Sequence, residues 1–153
     1  MWTKDKSLSL SQILVWVLFI LIPILCFCVP TMVHWYDIVY PEGVGLVEGS
    51  VYFPLSITLY VAAVFGEVCL YHLMKLLDNL KKEIVFVAEN CAHLRVISWC
   101  CLLAAIPFTF MGFWRFLSFI VALAAAFFGI ILRVLKNVFD KAVILQEEND
   151  YTI

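Results

Sequence analysis

Long apolar runs alternate with short polar gaps along the whole chain. The runs 11–32, 51–74, 94–110 and 114–136 are nearly free of charge, while most of the Lys, Arg, Asp and Glu residues lie between and beyond them. A helix that crosses a bilayer needs about 20 predominantly apolar residues, with a tolerance of a few either way, so each run is fit to cross once. Backbone polar groups find no water inside lipid, and a helix bonds all of them within its own segment. The pattern therefore predicts an all-α polytopic membrane protein, with four transmembrane helices in an antiparallel bundle that forms one domain over 1–153. Its connections are an extracellular loop 33–50, a cytoplasmic loop 75–93 and a tight hairpin in which Gly112 is the natural turn residue. The tail 137–153 keeps a helical pattern, because Leu135, Val138, Phe139, Ala142 and Leu145 recur on one face, so the fourth helix is expected to project beyond the membrane as an amphipathic stem.

Composition agrees and charge adds a direction. Hydrophobic residues make up 65% of the chain, well above the globular norm of about 45–50%, and a soluble core of this size could not hide them. Lys4 and Lys6 precede the first run, Lys75, Lys81, Lys82 and Arg95 lie around the middle loop, and Arg133, Lys136 and Lys141 end the fourth run or follow it. The loop 33–50 has Asp37, Glu42 and Glu48 but no Lys or Arg, and Arg115 is the exception on that side. The positive-inside rule then puts both termini and the middle loop in the cytoplasm, and Trp35, Tyr36, Tyr40 and Tyr52 suit an aromatic belt at the outer boundary. The first run is longer than a signal-peptide core and lacks a small-residue cleavage site, so it is read as a retained helix.

Candidate chemistry is sparse. Five of the six cysteines lie in the runs and none forms Cys-x-x-Cys, while His34, His72 and His93 are scattered over three segments. No metal site, cofactor or catalytic residue is expected, and the chain is read as a non-enzyme. Glu67 is the one acid embedded in a run, and a charge there is costly unless paired. It is expected to form an ion pair with Arg95, Arg133 or Lys136 at the inner end, with a proton-coupling carboxylate as the alternative. Ala122, Ala125, Ala126 and Gly129, together with Ala62 and Gly66, are small residues at helical spacing; they imply close packing within the chain or, alternatively, a homo-oligomer seam.

The middle loop reads LLDNLKKEIVFVAENCAHLR, with Phe86 followed by Glu89-Asn90 and then Leu94-Arg95, and the chain closes on Glu147-Glu148-Asn149-Asp150-Tyr151-Thr152-Ile153. These segments on a four-span frame resemble the DUF2975 family of small bacterial membrane proteins. Its loop typically runs Phe, Glu-Asn, then Leu-Arg, and its tail nears Glu-Asn-Asp-Leu-Thr-Ile. Here Tyr151 stands for the common Leu, and Ile84 to Val87 lacks the Gly and Pro often seen before the Phe. The resemblance implies residence in the bacterial inner membrane and one half of a two-gene unit whose other half is a small helix-turn-helix regulator. On that reading Phe86, Glu89, Asn90, Leu94, Arg95 and the seven tail residues 147–153 are the partner-binding set. Nucleic-acid contact would be indirect, since the chain has no dense basic cluster. Two rival expectations are a small proton-coupled exporter using Glu67 and a self-protection protein against a membrane-active peptide.

Overall fold

A computed structural model describes residues 4–40 and 45–150. Among them are four helices and no strand: α1 (Lys4–Val39), α2 (Tyr52–Lys81), α3 (Ala88–Met111) and α4 (Leu117–Asp150). All four are long and apolar enough to cross a membrane, as a multi-pass protein requires. Each packs on its neighbour in sequence, α1 on α2, α2 on α3 and α3 on α4, and no other pair of helices meets among the described residues. The antiparallel order matches the sequence pattern, but the helices form an open row in which α1 and α4 do not close on each other. Lipid explains why this is tolerable: its tails are as apolar as leucine, so no hydrophobic force drives the last helix back onto the first.

Burial follows from that topology. α3 has a neighbour on either side, and Cys91, Leu94, Ile97, Cys100, Ala105 and Met111 on it are six of the eleven buried apolar residues among those described. The end helices turn large apolar side chains outward, with Phe27 of α1 87% exposed and Leu123 of α4 73% exposed. These belong against lipid tails.

Small residues let two helices approach closely. A Cβ at Gly129 would lie 2.8 Å from Leu102 Cγ and 3.1 Å from the Ser98 carbonyl oxygen, and the Ser98 hydroxyl donates to the Gly129 carbonyl at 2.7 Å. Ala122 is also buried, so the small face of α4 is taken up at least in part by α3. Gly66 faces α1 more loosely, since a Cβ added there would lie 3.6 Å from Ile22 Cδ1. Between α1 and α2 a proline supplies the polar contact. Pro23 and Pro30 both lie inside α1; Pro30 has no N–H to give the Cys26 carbonyl four residues back, and the Tyr60 hydroxyl donates to that oxygen instead at 3.2 Å.

The end of the row that carries residues 45–51 and 112–116 is tied together by loops. Arg115 donates to the Tyr36 hydroxyl at 3.2 Å and the Tyr40 carbonyl at 2.7 Å, which gives this cation a structural reason to lie among acids. The Leu46 and Val47 N–H groups both donate to the Phe113 carbonyl. A Cβ at Gly45 would come within 2.1 Å of the Trp114 oxygen, so only glycine fits there. Asp37 accepts from the Ser50 hydroxyl and the Val51 N–H at the start of α2. Gly112 acts differently from the expectation: its φ is −57°, open to any residue, and what demands glycine is the Phe119 ring 2.7 Å from where its Cβ would be.

The helices also outrun the apolar runs. The loop read as 75–93 contracts to 82–87, because α2 continues to Lys81 and α3 begins at Ala88. Apolar content marks where lipid ends, whereas a helix can continue into water once its polar side chains are solvated.

Candidate functional site

The opposite end of the row, where α2 turns into α3 and α4 runs on, brings the singled-out segments together. Residues 82–87 make a turn that Glu83 enters with φ of 60°. Asn90 holds it: this side chain is 0% exposed, donates to the Ile84 and Val85 carbonyls at 2.9 and 2.8 Å, and accepts from Asn79 of α2 at 2.9 Å. An amide suits the position because it offers two donors and an acceptor at once. Phe86, carried at the end of this turn, is 47% exposed and packs on Phe139 of α4 with ring centroids 5.7 Å apart.

α4 reaches that far because it is a continuous helix of 34 residues. At 1.5 Å per residue it spans about 51 Å, against about 30 Å of hydrocarbon. Residues after about Lys136 therefore form a stem outside the spanning segment. On the stem, Asp140 takes an ion pair from Lys136 and a hydrogen bond from the Cys91 thiol, and these partners hold its carboxyl below the usual carboxylate range. The turn, the start of α3 and the stem thus form one surface with exposed Phe86 and Glu89 beside the outward part of α4.

The partner-binding set divides on this surface. Phe86 and Glu89 are accessible, Glu89 lying 3.7 Å from His93. Asn90 and Leu94 are buried, so direct contact with a partner is closed to them; Asn90 shapes the turn and Leu94 belongs to the core. Arg95 lies instead in a cleft of about 320 Å³ between α3 and α4 with Trp99, Arg133, Lys136 and Asn137. Glu147 to Asp150 continue α4, and Tyr151, Thr152 and Ile153 lie outside the described residues.

Glu67 does not meet the expected cations. It faces α1, in an apolar groove of about 510 Å³ shared with Ile22, Pro23, Cys26, Phe27 and Tyr60, and its Oε1 has no hydrogen-bond partner among the described residues. Arg95, Arg133 and Lys136 belong to the far side of the row, and α2 and α4 do not touch. A shared depth in the membrane told nothing of which neighbour each face was turned toward.

One pairing has no signal in local spacing. His72 and His93 face each other across α2 and α3 with Nδ1 atoms 2.8 Å apart, so one ring donates and the other accepts. Asn79 and Asn90 occupy mirror positions about the 82–87 turn, three residues from either end of it, and could be paired from sequence once the turn is located, whereas His72 and His93 stand ten residues before it and six after it. Among the described residues no three metal-ligating side chains come together.

Comparison with known proteins gives one match. The model of a family described as protein of unknown function (DUF2975) matches residues 11–153, whereas no curated protein and no solved structure matches the chain.

Proposed function

The chain belongs to the DUF2975 family, and from that premise and the geometry of its turn and stem we propose that it is a non-enzymatic regulatory protein of the bacterial inner membrane that tethers a small cytoplasmic helix-turn-helix regulator. The observation that supports this best is the packing of Phe86 on Phe139, because it unites two segments far apart in sequence into one face with exposed apolar and acidic groups. Both termini and this face would lie in the cytoplasm, as the distribution of Lys and Arg implies. An aromatic anchor beside acidic residues suits a basic partner, whose approach the charge would steer and whose affinity the ring would supply. The regulator itself would carry any contact with DNA.

A photoreactive amino acid at position 86 tests the reading in living cells. It should yield an adduct with a small helix-turn-helix protein, whereas the same group in place of lipid-facing Phe27 should yield none with it. Equal yields from the two positions would remove the case for this face.

A second reading rests on Glu67, whose unpartnered carboxyl oxygen in an apolar groove is what a proton-coupled exporter of lipophilic cations would use. Under tethering, Glu67→Gln leaves the position-86 adduct unchanged; under export it abolishes proton-driven uptake of such a cation into inverted vesicles.

A further inference from the structure

The cleft between α3 and α4 meets the docking face at the Lys136–Asp140 pair, and its charge is unbalanced. It gathers Arg95, Arg133 and Lys136. Lys136 is matched by Asp140, but neither guanidinium has a carboxylate within ion-pair distance among the described residues. Arg133 stacks instead over the ring of Trp99, 4.6 Å from its centroid, and Asn137 adds an exposed amide at the mouth. Two fixed positive charges, a neighbouring amide donor and an aromatic wall make a receptor for a phosphate oxyanion, which guanidinium groups bind through parallel hydrogen bonds.

Depth and surroundings say where that phosphate comes from. Counted from Met111 and from Leu117 at 1.5 Å per residue, Arg95 and Arg133 both lie about 24 Å from the hairpin joining α3 and α4. That is a few ångströms short of the far edge of a hydrocarbon core about 30 Å thick, within reach of a snorkelling arginine. The flanking side chains are apolar and open: Ile130 and Val134 on α4 are 56% and 58% exposed, and Trp99 on α3 is 46% exposed. A soluble anion would have to leave water to reach such a face. A lipid already has its phosphate at this level and its chains against those residues. We propose that this cleft binds the headgroup phosphate of one anionic phospholipid, held by Arg95 and Arg133 with its acyl chains along the exposed apolar flank of α3 and α4. The site does not depend on the tethering role.

The test uses the full chain purified in mild detergent, with phosphatidylglycerol or phosphatidylcholine added at equal concentration, and reads retained lipid by native mass spectrometry. The intact protein should hold one phosphatidylglycerol in preference to phosphatidylcholine, and Arg95→Gln with Arg133→Gln should weaken that binding by on the order of thirtyfold. Asn137→Asp is the second variant: it alters one exposed amide, keeps both arginines, and should weaken phosphatidylglycerol about tenfold by placing a like charge beside its phosphate while leaving the thermal midpoint in phosphatidylcholine unchanged. A third arm adds inorganic phosphate, which should not displace the lipid. Equal retention of the two lipids, undiminished phosphatidylglycerol in Asn137→Asp, or displacement by inorganic phosphate would each overturn the proposal.

Discussion

Gly129→Leu is expected to loosen α3 from α4 and to cost about 1–3 kcal/mol or more, a large part of the stability of a small protein. The glycine sits at a close contact of α4 with α3: even a first added carbon would stand 2.8 Å from Leu102 and 3.1 Å from the Ser98 carbonyl, and a leucine adds three more carbons there. Relief requires the helices to separate, which also breaks the hydrogen bond from Ser98 to the Gly129 carbonyl. No hydrophobic force in lipid compensates for this, since interhelical attraction there is largely close packing and hydrogen bonding. Thermal unfolding in detergent, followed by the accessibility of buried Cys100 to a maleimide, reads the loss. Gly66→Leu is the internal comparison. Its nearest neighbour, Ile22 at 3.6 Å, is the end of a flexible side chain, so the midpoint should fall less.

The second large effect is at Asn90. Asn90→Leu keeps roughly the volume but removes both donors from the Ile84 and Val85 carbonyls and the acceptor from Asn79. Leaving buried polar groups without partners costs about 1–3 kcal/mol for each that water cannot reach. The expected total of about 2–4 kcal/mol falls on the 82–87 turn, so amide exchange and proteolysis should rise there, with the α3–α4 packing unchanged. A uniform rise over all four helices would mean that Asn90 supports the whole fold. Because the turn carries Phe86, a loosened turn should also weaken partner capture, although Asn90 itself touches no partner.

Much of this was legible in the sequence. Apolar runs of near-spanning length gave four helices, and short connections gave their antiparallel order. What the runs could not convey is which faces meet. Hydropathy is nearly uniform around a helix that has lipid on one side and protein on the other, so the pattern implied an antiparallel bundle without saying that its helices stand in an open row. The same blindness assigned Glu67 to Arg95, Arg133 and Lys136, when its face is turned to α1. Helices outrun the apolar runs for another reason, since charged residues such as Lys75 to Lys81 stop an apolar run without stopping a helix.

At the candidate site, the family resemblance pointed to segments that could not be sorted into their members from sequence. Phe86, Glu89, Asn90, Leu94 and Arg95 lie within ten positions of one another, yet they divide among an exposed ring, an exposed acid, a buried clasp, a core leucine and a separate basic cleft. The division follows from the 3.6-residue period of α3 once its start at Ala88 is known. The contact of Phe86 with Phe139 spans more than half of α4 and all of α3, and no local pattern foretells it.

The measurement that bears most directly on tethering is capture of the tagged protein from its native cells in mild detergent, beside a chain that ends at Leu145, with bound proteins identified by mass spectrometry. The account predicts a small helix-turn-helix protein with the full chain and its loss from the shortened one, both proteins remaining folded and monodisperse. Capture that is equal for the two chains, or no such protein with either, would contradict it.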